Sequence, residues 1–540
     1  MKRSSGIILH PTSLPNDEGI GTIGKEAFAF IDWLKKTRTG VWQMLPIGPT
    51  GYGDSPYASF SAFAGNPYLI SLQDLCEKGF LEKKDFDEYK KIVQENTDPK
   101  RADFGLIHYH KTKMLKKAAA FLLHKTERDS SLKEELENFY QEESFWLDGY
   151  AAFMTIKEDY EERANKENLV QGIWNEVWPK ELALNKENAV KEFLNKHSEE
   201  YEAQKIIQFF FFSQWKKLKD YAEKNGIQLI GDIPIFAAMD SADVWQNQSL
   251  FLLDEEAKPK AVAGVPPDFF SPTGQLWGNP LYDWANMKKD GYLWWKARIR
   301  QTLKLFDIIR LDHFRGFEAF WSIPQDAKTA QEGKWVKGPD HNFFEEIQKD
   351  LISLDEKYRI ELPILTEDLG IITPEVARLR DDFNFPTMKI LQFAFDLNEF
   401  KSENMINPYL PHNHKKNCAV YTGSHDNDTI MGCLENSSDE MLKFIYTYLY
   451  GKKEDERICS ILNTYEFKKE LASEIIRKAF SSVADFAAVQ MQDLLFLNSE
   501  ARMNEPSTVG RNWQWRVTGS YENCEMTEKL QLWNVLYNRV

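Results

Sequence analysis

Cysteine is scarce. There are five in 540 residues, an odd number, and no two are spaced as Cys-x-x-Cys. That leaves no disulfide framework and no cysteine zinc site, and it fits a reduced, cytoplasmic protein. Long apolar runs are also missing. No stretch reaches the roughly 18 apolar residues of a membrane span, so no membrane segment is expected. The apolar run after Lys2 and Arg3 stops at His10-Pro11, too short for a signal peptide. Positive charge is in deficit, with a net charge of −16. This disfavours nucleic acid or an anionic membrane surface as the main partner and suits a neutral substrate. His108-x-His110 has no carboxylate or cysteine beside it, so neither a metal nor a cofactor is expected. The run Gly19-Ile20-Gly21-Thr22-Ile23-Gly24 spells a dinucleotide fingerprint without its context. A proline-containing loop separates it from the first strand, and the second strand ends without an acid. It reads instead as a loop opening a helix over Lys25–Lys36.

What is present is an alternation. Short apolar runs at 6–10, 41–47, 227–236, 306–312, 362–370, 388–395, 417–428 and 484–495 read as eight strands. Helical periodicity follows most of them. Repeated βα units imply a parallel sheet. Eight, with polar residues massed at the strand ends, imply a (β/α)8 TIM barrel whose active site lies on that face. Residues 1–540 are thus read as one catalytic barrel. Residues 75–205, rich in Lys, Glu, Leu and Phe with few Gly or Pro, read as a mostly helical insertion. Residues 240–290 read as an aromatic substrate-loop insertion.

The stretch Phe306-Asp307-Ile308-Ile309-Arg310-Leu311-Asp312-His313 sets the chemistry. Side chains two apart on a strand share a face, so Arg310 and Asp312 project together. A cation beside a carboxylate favours the ionised form, as a carboxylate nucleophile requires. A structural ion pair at a strand end accounts for the same residues. Two further strand ends carry Glu367 and Asp426. Acetal cleavage needs one carboxylic acid and one carboxylate. Glu367 suits the acid, since its neighbour Asp368 and an apolar strand body would both raise its pKa. Asp426, beside His425, is placed to bond sugar hydroxyls. Between residues 264 and 280, turn residues hold Phe269, Phe270 and Trp277 where no regular element buries them. With Asp268 and Asn279 alongside, these rings suit sugar faces and hydroxyl edges. A loop packed on its own aromatics would look the same.

At this point the chain resembles the 4-α-glucanotransferases of the amylomaltase (disproportionating enzyme) type. The resemblance runs almost end to end, through SLPNDEGIGTIG, GPTGYGDSPYASFSAFAGNP, GDIPIFAAMDSADVW, PPDFFSPTGQLWGNPLY, RLDHFRGF, TEDLG and SHDNDT. It implies that Asp312 is the nucleophile, Glu367 the acid/base and Asp426 the transition-state stabiliser. It also implies substrate contacts from Arg310, His425, Tyr57, Asp368, Trp277 and Asn279. One run departs from the family's N-x-P-G-T and reads Asn504-Glu505-Pro506-Ser507-Thr508.

The expected activity is therefore retaining transfer of α-1,4-glucan segments between maltooligosaccharides or longer glucans. The rival readings are an α-glucan hydrolase using the same carboxylates, a metal-dependent sugar isomerase, and a non-catalytic glucan-binding protein.

Overall fold

The computed structural model describes residues 2–267, 271–370, 372–395, 407–522 and 524–540. Its strands, in chain order, are β1 (Ser4–Ile8), β2 (Val41–Gln43), β3 (Gln228–Ile233), β4 (Ala261–Val265), β5 (Gln275–Pro280), β6 (Ile308–Leu311), β7 (Ala319–Pro324), β8 (Lys334–Lys337), β9 (Ile364–Thr366), β10 (Thr387–Ile390), β11 (Cys418–Tyr421) and β12 (Phe486–Gln490). Eight form one sheet in the order β10-β11-β12-β1-β2-β3-β6-β9. Every neighbouring pair in it is parallel. That order is the chain order wrapped into a circle: a (β/α)8 barrel.

Both faces of these strands are buried, which is why they read as continuous apolar runs rather than alternating ones. Ile8, Val41, Ile230, Leu365, Met388, Ile390, Ala419, Tyr421, Phe486 and Ala488 fill the inside. Ile7, Trp42, Leu229, Val420 and Val489 face outward into the helix layer. The space inside is tight. A Cβ on Gly6 would lie 2.7 Å from the ring of Phe486.

The circle closes differently at one place. Among the described residues no backbone ladder joins β9 to β10. Thr366 instead donates to Pro386 O, with its Oγ1 at 2.9 Å and with its backbone N at 3.5 Å. The Asp368 carboxylate accepts from Met388 N at 2.7 Å and from Thr387 Oγ1 at 2.6 Å. Arg380 holds the same carboxylate at 2.7 Å.

Several strands are shorter than the apolar runs suggest. Strand β2 stops at Gln43 and β11 at Tyr421. Strands β10 and β12 pass straight into the helical turns Leu391–Ala394 and Met491–Leu494. Leu391, Ala394, Met491 and Leu494 in those turns are buried and apolar, so each apolar run reads on past the end of its strand. The helix Lys25–Lys36 forms with the bounds its sequence suggests.

Between β2 and β3 the chain is helical, from Leu72–Glu77 to Ser198–Lys224. A buried ion pair, Lys111 Nζ to Glu18 Oε2 at 3.0 Å, ties this layer to the loop after β1. Strands β4, β5, β7 and β8 form a separate antiparallel sheet in the order β5-β4-β7-β8, inserted after β3 and β6. Trp277 and Asn279 therefore lie on a strand, β5, and not in an irregular loop as the turn residues suggest. Among the described residues no helix is long and apolar enough to cross a membrane.

Candidate active site

Strand parity builds the site. Ile230 and Leu365 point into the barrel, so the residues two further on, Asp232 and Glu367, do as well. Asp232 is paired with Arg310 across β3 and β6. Leu311 is paired with Thr366 across β6 and β9, so Asp312 and Glu367 stand opposite each other one step beyond. The barrel thus ends in polar side chains directly above its apolar filling.

Arg310 is buried and acts as the hub. Its Nη1 bonds Asp232 Oδ2 and lies 2.9 Å from Asp312 Oδ1. Asp232 also accepts the Tyr57 hydroxyl at 2.8 Å. Burial pushes Asp232 up to about 6, against the pull of Arg310. Tyr57 stacks on His425, with ring centroids 4.8 Å apart. Its oxygen lies 3.3 Å from His425 Nδ1. The other ring nitrogen, Nε2, lies 3.4 Å from Asp426 Oδ1, so the imidazole bridges Tyr57 and Asp426. Trp513 packs against both rings.

Asp426 is the most open of the three strand-end acids, with 47% of its side chain exposed. Asn504 Nδ2 donates to its Oδ1 at 2.6 Å. Arg502 Nη2 donates to its backbone carbonyl at 2.6 Å. The run that departs from the family pattern thus starts with a residue holding Asp426. Ser507 in that run takes φ +66, a left-handed conformation that favours glycine.

Glu367 is the most perturbed. Burial, and then the charge of Asp312, push its carboxyl up to about 7, while Arg310 and two backbone donors pull the other way. Those donors are Leu369 N on Oε1 at 2.7 Å and His313 N on Oε2 at 2.9 Å. His313 reaches this position with a left-handed backbone, φ 51. Its ring meets Trp277 edge-on at 4.9 Å, and burial pushes the imidazole down to about 4, so it is neutral.

The like charge beside Glu367 is therefore Asp312 and not Asp368. The Asp368 side chain is 1% exposed and turned onto Arg380. It belongs to the barrel seam, not to the wall of the cleft.

Asp312, Asp426, His425, Tyr57, Trp277 and Asn279 line one cleft of about 480 Å³ with Asn504, Ser507 and Trp513. Asn279 Nδ2 also donates to Ala237 O at 3.0 Å, fixing β5 to the segment after β3. Asp268 and Phe269, with Phe270, lie outside the described residues. His108 bonds Tyr68 rather than His110. Among the described residues no cluster of three or more His, Cys, Asp or Glu is arranged to hold a metal ion.

Asp232, Asn504 and Trp513 are residues that sequence reasoning did not single out for the site. Asp232 had a usable signal, since it shares the inward parity of Ile230 on a strand that should be wholly apolar. Asn504 and Trp513 reach the site only because a loop from the chain's last part folds back over β11.

Comparison with known proteins places the chain in a family. The family described as 4-alpha-glucanotransferase (glycoside hydrolase family 77) matches residues 9–522. A 4-alpha-glucanotransferase of Clostridium butyricum is 42% identical over 537 residues, covering 98% of this chain and 100% of that protein. One from Thermus thermophilus is 43% identical, covering 96% and 95%. The structure of amylomaltase from Streptococcus agalactiae in complex with acarbose superposes with a TM-score of 0.87 at 37% identity, covering all of both chains.

Proposed function

This chain belongs to the 4-α-glucanotransferase family, and on that premise we propose that it moves α-1,4-glucan segments by a retaining, two-step mechanism through a glycosyl ester on Asp312. The observation that carries the reading is the matched placement of Asp312 and Glu367 on adjacent strands, with Glu367 held up to about 7. Neighbouring strands lie about 4.8 Å apart. Retention needs carboxyls about 5–5.5 Å apart, against roughly 6.5–9.5 Å for inversion.

In the first step the Asp312 carboxylate attacks the anomeric carbon. The C1–O4 bond breaks, and Glu367 gives its proton to the departing 4-oxygen. Arg310 keeps Asp312 aimed. Tyr57 and Trp277 offer faces to the sugar rings, and Asp426 faces the positive charge that develops on the ring. In the second step the acceptor's 4-hydroxyl passes its proton to Glu367 while its oxygen takes C1 from Asp312. The role reversal has an electrostatic basis. Once Asp312 is an ester its charge is gone, and one of the two causes holding Glu367 up is removed. Glu367 then gives up its proton more readily and serves as the base.

Maltotriose is the discriminating substrate. Transfer yields glucose together with longer oligomers at a nearly constant number of reducing ends. A steady rise in reducing ends would favour the hydrolase. Activity lost on exhaustive chelation and restored by a divalent ion would favour the isomerase.

A further inference from the structure

The loop between β11 and the helix Ile430–Glu435 carries both His425 and Asp426. It is stiff within itself, because Asn427 Oδ1 accepts from Ser424 N at 2.8 Å and Ser424 Oγ at 2.9 Å. A stiff loop must still be held at its ends if its tip is to stand in one place. One side chain meets both ends. Asp493, just after β12, accepts Thr422 Oγ1 on Oδ2 at 2.7 Å and Ile430 N on Oδ1 at 2.7 Å. Thr422 is the first residue beyond β11, and Ile430 is the first of the helix.

Asp493 is 1% exposed and Thr422 is fully buried. Asp493 is not among the residues lining the cleft. Burial pushes its carboxyl up to about 7, and the two donors oppose that shift. Taking a carboxylate out of water costs stability. An apolar contact of the same size would pack strand to helix without that cost. It would leave the two chain ends free to slide, whereas a pair of short bonds fixes both positions and directions.

We propose that Asp493 is a positioning residue, which pins Thr422 and Ile430 together and so sets where the Asp426 carboxylate stands over the cleft. This rests on Asp426 acting on the transition state. Placement there is exacting, since a displacement of about 1 Å far from the chemistry can cost roughly 10²-fold in rate.

The test is a cycle built on Thr422→Val, Thr422→Ser, Asp493→Asn, Asp426→Asn and the Thr422→Val/Asp426→Asn double variant. Initial rates on maltotriose, or on a glycosyl fluoride donor where turnover is slow, are read together with thermal melting. Thr422→Val is expected to lower kcat about tenfold with KM within about twofold, the pattern of a lost transition-state interaction. Thr422→Ser keeps the hydroxyl and is expected to recover most of that loss. In the Asp426→Asn background the same Thr422→Val change is expected to cost less than about twofold, because residues that act as one unit are not additive. A tenfold loss that persists there, or a Thr422→Ser variant no better than Thr422→Val, would overturn the positioning role. If Asp493→Asn does not fold, the Thr422 variants decide alone. If Asp426→Asn by itself leaves kcat unchanged, the reading of Asp426 fails and this inference fails with it. An impaired Asp426→Asn with additive Thr422→Val removes the inference only.

Discussion

Asp312 and Glu367 each follow directly on a residue that is paired with the other's strand, Leu311 with Thr366. Burial first, and then the charge of Asp312 so close by, favour a proton on Glu367. Glu367→Gln is expected to slow transfer from natural glucans by about 10²–10⁴-fold, the usual worth of a placed acid/base. A donor whose leaving group needs no proton should recover the first step. Equal impairment with such a donor would show that Glu367 is not the acid.

On the proposed mechanism the same carboxyl sets the alkaline limb. Below about 7 Glu367 holds the proton that the first step needs, and above it the proton is gone. The glycosylation rate should therefore fall as pH rises through that value. Stability should move the same way. An unfolded Glu ionises near 4.5, so between there and about 7 the folded chain holds the extra proton and loses stability as pH rises. In Glu367→Gln that slope is absent, so the melting temperature of the variant relative to the parent should rise from pH 5 to pH 8. A flat difference would contradict the raised pKa.

Trp277 tests what makes transfer win over hydrolysis. Water is abundant, so the acceptor must be held in attack geometry and loose water kept out. Trp277 stands half-exposed on β5, against His313 and facing the cleft. Trp277→Ala is expected to lose transfer far more than hydrolysis, raising the ratio of reducing ends to redistributed oligomers. If the ring only packs the strand, both activities will fall in proportion to folded protein and the ratio will not move.

Ser507 stands in a conformation that costs a non-glycine residue about 1–2 kcal/mol. Ser507→Gly relieves that strain but frees the unfolded chain, at a cost of about 0.4–1 kcal/mol. The net expectation is a gain of roughly 0.5–1 kcal/mol in urea unfolding. A loss would mean that the Ser507 side chain contributes more to the cleft than its backbone costs.

Arg539 is buried near the end of the chain, where Nε meets Phe480 O at 2.6 Å and Nη1 meets Ser4 O at 2.9 Å. Arg539→Ala leaves these carbonyls without their partner and should cost about 2–4 kcal/mol of stability. Activity per folded molecule should be unchanged, since the carbonyls lie at the barrel end opposite the cleft.

The alternation of strand and helix was legible because parallel strands buried on both faces leave unbroken apolar runs. Strand ends were not, since Leu391, Ala394, Met491 and Leu494 in the turns that follow are buried and apolar too. The acids at 312, 367 and 426 stood out as charges where a strand should be apolar. The partner of Arg310 did not, because the register that joins it to Asp232 spans 78 residues. Asp368 misled for a local reason. Adjacency in the chain suggested shared electrostatics, but neighbours at a strand end point opposite ways, and Asp368 turned outward to Arg380. Trp277 was taken for loop because Gly, Pro and Asn surround it, yet β4 was available to pair with Gln275, Leu276 and Pro280 on either side of it.

Eight strands in a circle could share eight ladders, and among the described residues there are seven. The last joint is chiefly a latch of side chains: beside the Thr366 contacts to Pro386 O, one carboxylate grips a backbone amide, a hydroxyl and a guanidinium. A latch lets go residue by residue, whereas a ladder fails as a unit. The amide of Met388 should accordingly exchange with solvent hydrogen at an energy below that of global unfolding, while the amides between β1 and β12 wait for the whole barrel to open. Asp368 follows Glu367 in the chain, so any slackening of the latch is felt first by the proton-carrying side chain. Wear at the wall of this molecule would be read out as a drift in its chemistry before it appeared as loss of fold.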